Sequence, residues 1–254
     1  MINILYISYN TPKENMDIHL RAWKNIPDDV RKQLRFIVID DCSPLPVKNF
    51  LQPDFPINLT IARIDTDIYW NTSGAKNLGF AIADNDWVFS SDIDHIPEDF
   101  EKLITWPKIR TKVYLFQRHK PDGSLRGKNT SNIFIIHKED FWNTGGYDED
   151  LAGAYGHDEV MTVGDPTRPE KNSMMKILGY QFIWTPMKII EYKEYETGDH
   201  SYKLSTAHTN LQKVMKKQQD FAQGKYRNGA ILRFNWHIEK DFRYEDKLNI
   251  STTS

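Results

Sequence analysis

Apolar residues in the first third of the chain fall into short, almost unbroken runs, separated by polar and amphipathic stretches. Residues 2–9, 34–40, 57–64 and 86–91 are runs of strand length. Runs of this kind suit strands buried on both faces of a parallel sheet. Residues 14–24 and 73–84 carry helical spacing. The first of these ends before Pro27, and the second opens at Thr72 or Ser73, either of which suits an N-cap. Pro97 suits the first turn of a short helix. The alternation βαβαβαβ predicts an α/β domain with an open, mainly parallel sheet. Such sheets bind ligands at the carboxyl ends of their strands. Asp40 and Asp41 fall at the end of the second strand, and Asp92 and Asp94 at the end of the fourth.

The second half is less regular. Residues 111–118 and 131–137 read as strands joined by a hairpin-like loop, PDGSLRGKNT. A helix over residues 171–178 should stop at Gly179, with a strand over 180–193 to follow. Residues 204–223 read as a helix with Lys213, Lys216 and Lys217 exposed, and the closing NISTTS as frayed.

Composition narrows the function classes. A chain of 254 residues suits one α/β domain. With 33 basic and 35 acidic residues the formal charge is −2, which argues against a nucleic-acid binder. Cys42 is the single cysteine, so no intrachain disulfide forms, and a reducing compartment fits. No run reaches the roughly 20 apolar residues of a membrane span. The opening MINILYISYN reads as a first strand rather than a signal peptide. The expected location is cytoplasmic, free or peripheral to a membrane. The aromatic share of 13% serves a packed core or rings that line a sugar site.

Asp92-Ile93-Asp94 alternates, so in an extended segment both carboxylates share one side. Two such carboxylates can hold Mn²⁺ or Mg²⁺ and bridge it to phosphates. The triplet alone is common, and its weight comes from its place after an apolar strand. Two carboxylates and a diphosphate leave an octahedral cation short of ligands unless water fills in. His200 is the candidate third ligand, with His208 as a second histidine. Asp40 or Asp41 can accept an N–H from a uracil or guanine ring, or can simply satisfy a turn. Asn71, Gly74, Lys76 and Asn77 open the second helix, where free N–H groups and a cation can face phosphate. Asp158 and Glu159 follow Gly153 and Gly156, at the start of a helix. Either can act as general base toward a hydroxyl, or can serve only the helix dipole.

In order, these segments resemble the family-2-like glycosyltransferases of the GT-A fold. That family carries V-D-D-x-S, as in FIVIDDCS, then A-R-N-x-G, as in Ala75-Lys76-Asn77-Leu78-Gly79. It continues with D-x-D at Asp92–Asp94, G-G-[FY]-D-E at Gly145–Glu149 and G-x-G-x-E-D at Ala154–Glu159. Five motifs in register say more than any one of them. The resemblance implies a single GT-A-like domain whose mainly parallel, Rossmann-like sheet is flanked by helices. Residues 1–95 would form the nucleotide-binding half, 96–203 the acceptor-side half, and 204–254 a helical extension packed on the same domain. It also implies Asp40 and Asp41 near the base, Asp92 and Asp94 near ribose and metal, and Asp158 and Glu159 near the acceptor. Lys76 departs from the usual Arg, the last pair reads Asp-Glu, and Asp165-Pro-Thr-Arg-Pro169 interrupts the helix that usually follows.

The expected activity is metal-dependent transfer of a sugar from a UDP- or GDP-sugar to a glycan or other hydroxyl acceptor, with inversion. A nucleotidyltransferase that makes the activated sugar is the alternative on this fold, but Ser8 to Lys13 lacks its glycine-rich phosphate loop. A non-catalytic carbohydrate-binding protein is the other alternative, and acids kept at three separate places count against it.

Overall fold

The structure is a computed structural model that describes residues 1–84, 86–126, 132–156, 162–164, 173–192, 200–226 and 231–245, with only the backbone given at 200–208 and 222. The strands are β1 (Ile2–Ser8), β2 (Leu34–Asp41), β3 (Leu59–Ile64), β4 (Trp87–Asp92), β5 (His95–Pro97), β6 (Lys112–His119), β7 (Phe134–His137), β8 (Gln181–Glu191) and β9 (Trp236–Phe242). The helices are α1 (Lys13–Lys24), α2 (Asp28–Arg31), α3 (Thr72–Ile82), α4 (Phe100–Thr105), α5 (Lys138–Asn143), α6 (Met174–Ile177) and α7 (His200–Ala222).

All nine strands join one sheet in the order β5-β8-β6-β7-β4-β1-β2-β3-β9. Its centre, β4-β1-β2-β3, is parallel, as the apolar runs predict. Alternate residues of these strands feed two cores. Ile4, Tyr6, Phe36 and Val38 pack on one face with Met16 and Trp23 of α1. Leu5, Ile37 and Ile39 pack on the other with Leu78 and Phe80 of α3. Gly79 brings α3 close to β1, because a Cβ there would collide with the Leu5 side chain. The registers Ser8↔Asp40 and Ile7↔Asp92 set both acidic strand ends level with the end of β1.

Several local expectations give way to tertiary context. Pro97 lies in β5, and α4 begins at Phe100 with Asp99 as N-cap, accepting from the Lys102 amide at 3.1 Å. Neither Thr72 nor Ser73 caps α3; both lie inside it, and Asn71 holds the cap position with its side chain turned to Asp41. The link from β2 to β3 carries a 3-10 turn, Val47–Asn49, rather than a helix. Lys217 is not exposed but sits between Asp148 and Asp150, 2.7 and 2.9 Å away. The C-terminal extension is not purely helical, since β9 extends the sheet by pairing antiparallel with β3. That pairing covers an edge that would otherwise expose unpaired backbone groups. The NISTTS tail lies outside the described residues.

Candidate metal and nucleotide site

β4 ends in Asp92, the chain turns through Ile93, and β5 begins at His95. Asp92, Asp94 and His95 each offer one ligand atom, and these atoms lie within 4.8 Å of one another. His95 is fully buried, and its Nδ1 stands 2.6 Å from Asp94 Oδ1 at an angle outside hydrogen bonding. Three such atoms this close together could serve one cation. Carboxylate oxygens and an imidazole nitrogen form a donor set that fits Mn²⁺ or Mg²⁺. The Asn132 side-chain amide donates to Asp92 Oδ2. Lys76, fully buried in α3, holds its Nζ 3.8 Å from Asp92 Oδ1 and 5.6 Å from the centre of the Tyr147 ring.

The peptide between the two aspartates is held from α1. His19 donates its Nε2–H to the Ile93 carbonyl, which fixes the tautomer because a carbonyl only accepts. Burial is the main reason the His19 ring is pushed down to about 4, so it stays neutral in that contact. His95 and His19 were both missed in the sequence reading. His95 adjoins Asp94 in the chain and was legible there. His19 is brought in by the packing of α1 and has no local signal.

The Asp40 and Asp41 end of β2 is built differently. Asp40 accepts from the backbone N–H of Ser43 at 2.9 Å and of Val47 at 3.0 Å, and pairs with Arg63 at 2.6 Å. Asp41 accepts from Asn71 Nδ2 at 3.0 Å. Burial pushes the Asp41 carboxyl up to about 7, opposed by the Asn71 contact and reinforced by Asp40. Cys42 follows with φ 58°, and Trp70, just before Asn71, has φ 50°. Such angles in residues other than glycine store strain and cluster at functional rims.

Asn77 turns away from the helix opening. Its Nδ2 donates to the Tyr147 carbonyl at 3.0 Å and to Glu149 Oε1 at 2.8 Å, and its Oδ1 accepts from the Tyr147 amide. It therefore ties α3 to the Gly-Gly-Tyr-Asp-Glu turn. Gly146, at φ 72°, is packed against Asn77 and Trp142. Gly74 leaves room for Asn71 and Phe234. Glu149 also accepts from the Leu232 amide at 2.8 Å, and Asp148 accepts from Tyr226. Asp158 and Glu159 lie outside the described residues, as does the His200 side chain. On either side of residues 157–161 in the chain, Gly156 O accepts from Asn210 at 2.8 Å and Thr162 donates to Gly146 O at 2.8 Å.

The parallel centre, the acids at its carboxyl edge and the mixed outer strands together make a GT-A glycosyltransferase fold. Similar solved structures include GalNAc-T7 with UDP, GalNAc and Mn²⁺, at 13% identity and TM-score 0.58, over 88% of this chain and 50% of that one. Another is S. aureus TarS 1-349 in complex with UDP-GlcNAc, at 13% identity and TM-score 0.55, over 78% of this chain and 60% of that one. A third is the mannosyltransferase PcManGT from Pyrobaculum calidifontis with GDP-Man and Mn²⁺, at 15% identity and TM-score 0.55, over 85% and 64%. This chain thus spans 50 to 64% of the length of those structures. At such identities the likeness establishes the fold. No protein-family model and no curated relative matches the chain. Among the described residues, no helix is long and apolar enough to cross a membrane.

Proposed function

We propose that this chain is a divalent-cation-dependent glycosyltransferase that moves a sugar from a UDP- or GDP-sugar to a hydroxyl acceptor, with inversion. The observation that carries this reading is the convergence of Asp92, Asp94 and His95 at the carboxyl end of β4, with Lys76 beside them. Structures of the same fold that hold UDP or GDP-Man together with Mn²⁺ support it. Asp92, Asp94 and His95 hold the cation, and His200 remains the candidate for a further ligand. An imidazole ligand favours Mn²⁺ over Mg²⁺, which prefers an all-oxygen shell. A cation there neutralises charge on the departing diphosphate.

The chain's own residues supply the rest. Asp41 and Asn71 receive the base, because Asp40 is spent on Ser43, Val47 and Arg63. Lys76 supports the phosphate side through Asp92. Asn77 and Gly74 act one step back, by setting α3 against the Glu149 turn and Phe234. Residues 1–95 serve the donor and 96–203 the acceptor. Asp158 or Glu159 takes the proton from the acceptor hydroxyl, with Glu159 preferred from its place in the motif. Replacing the base should cost about 10²–10⁴ in turnover and leave nucleotide binding intact.

Thermal stabilisation across a panel of UDP- and GDP-sugars tests the function. One of them should raise the melting temperature with Mn²⁺ present and not without it, and free sugar should not. Stabilisation by free sugar alone, with no nucleotide or metal effect, would overturn the reading in favour of a carbohydrate-binding protein.

A further inference from the structure

The buried acid Glu191, at the end of β8, has no part in the reading above. It is the antiparallel partner of His95 across β5 and β8, and direct cross-strand partners put their side chains on the same face. Glu191 is almost fully buried. Its Oε2 accepts from Arg118 Nη1 at 3.3 Å and Arg126 Nε at 3.2 Å, and lies 4.0 Å from His95 Nε2. The opposite ring nitrogen, Nδ1, faces Asp94. If Nδ1 is to ligate a cation it must be bare, so the ring proton must sit on Nε2. That N–H then sits on the nitrogen 4.0 Å from the Glu191 carboxylate. At 4.0 Å the contact is electrostatic, and an approach of about 1 Å makes it a hydrogen bond.

We propose that Glu191 is a positioning residue of the metal centre. Its carboxylate, held in place by Arg118 and Arg126, takes the Nε2–H of His95 and so presents Nδ1 to the cation. The two arginines hold the carboxylate from one side and fix its place beside the His95 ring. The inference rests on His95 being a ligand, as proposed above. Partners of this kind orient metal-bound imidazoles and raise their basicity, and losing one costs about 10- to 100-fold in metal affinity.

The test is Mn²⁺ affinity of the full chain, read from the electron paramagnetic resonance signal of free Mn²⁺. Glu191→Gln should weaken binding about 10- to 100-fold. His95→Gln should weaken it at least as much, and the double variant no further, because Glu191 acts through the ring. Unchanged affinity in Glu191→Gln, or losses that multiply in the double variant, overturns the proposal and leaves Glu191 a brace for the two arginines. If Glu191→Gln does not fold, Glu191→Asp keeps the charge but draws it back from the ring. It should still weaken Mn²⁺, and full affinity there also overturns the proposal. Asp94→Asn separates the two readings. If it leaves Mn²⁺ binding intact, the metal site itself is misplaced; if it abolishes binding while Glu191→Gln does not, only the role of Glu191 fails.

Discussion

The two acidic strand ends look alike in sequence and are built differently. After β2, Asp40 is surrounded by the protein's own donors: two backbone amides and the Arg63 guanidinium. After β4, Asp92 and Asp94 stand with a buried imidazole, and Lys76 is 3.8 Å from Asp92. The first acid is compensated before any ligand arrives. The second group concentrates negative charge that an added cation would relieve. Paired acids at a parallel sheet edge therefore differ by the partners that the fold brings to them.

The largest effect that sharpens this contrast falls on the compensated acid. Asp40→Ala leaves Arg63 without its buried partner and should cost about 3–5 kcal/mol of stability, measured by chemical denaturation. Mn²⁺ affinity of the folded fraction should not change; a stable variant with lost Mn²⁺ binding would reverse the roles of the two ends. Next comes Asp94→Asn, which should weaken Mn²⁺ binding by about a hundredfold or more, beyond the loss expected from removing an outer-shell partner. Its fold should survive, as circular dichroism would show. Calorimetry with equal nucleotide affinity in variant and wild type, with and without Mn²⁺, would remove Asp94 from the site.

Asp41→Ala is intermediate. Above about pH 7, where Asp41 is ionised, losing a hydrogen bond to a charged acceptor costs about 1.5–3 kcal/mol, so nucleotide affinity should fall roughly tenfold to hundredfold while metal dependence persists. Unchanged affinity would return Asp41 to the turn. The most gradual effect is in pH. The folded-state value of Asp41, about 7, exceeds the ordinary 3.8, so the folded chain holds that proton longer than the unfolded one. Its contribution to stability is fully present below about pH 4 and is lost as pH rises to about 7, with a slope of at most about 1.4 kcal/mol per pH unit. The melting temperature of Asp41→Asn relative to wild type should therefore climb across that window and level off above it. A difference constant across the window would mean that Asp41 ionises as freely in the fold as out of it.

Much of this was legible beforehand because it is local. The β1, β2 and β4 runs are apolar on both faces, and their period announced a buried parallel centre. Asp-x-Asp announced its strand end by alternation, and His95 was one residue further on. Other features were not legible, because they depend on contacts distant in sequence. Pro97 met a helix-start rule but was taken into β5, where the backbone of β8 pairs with it. Asn77 and Lys76 read alike as helix-opening polar residues. Packing sent Asn77 to Tyr147 and Glu149, and Lys76 to Asp92.

The sequence by itself determined which segments form the parallel centre, which acids stand at their ends, and which fold class can bury both faces of such strands. These follow from side-chain period and backbone preference, which act over a few residues. Only the tertiary structure decided which partners each acid meets and which residues gather at the candidate metal site. Arg63 reaches Asp40 from the neighbouring strand, His19 reaches Ile93 from α1, and Glu191 reaches His95 across β5 and β8. Charge compensation acts through space over a few ångströms, and strand order sets those distances.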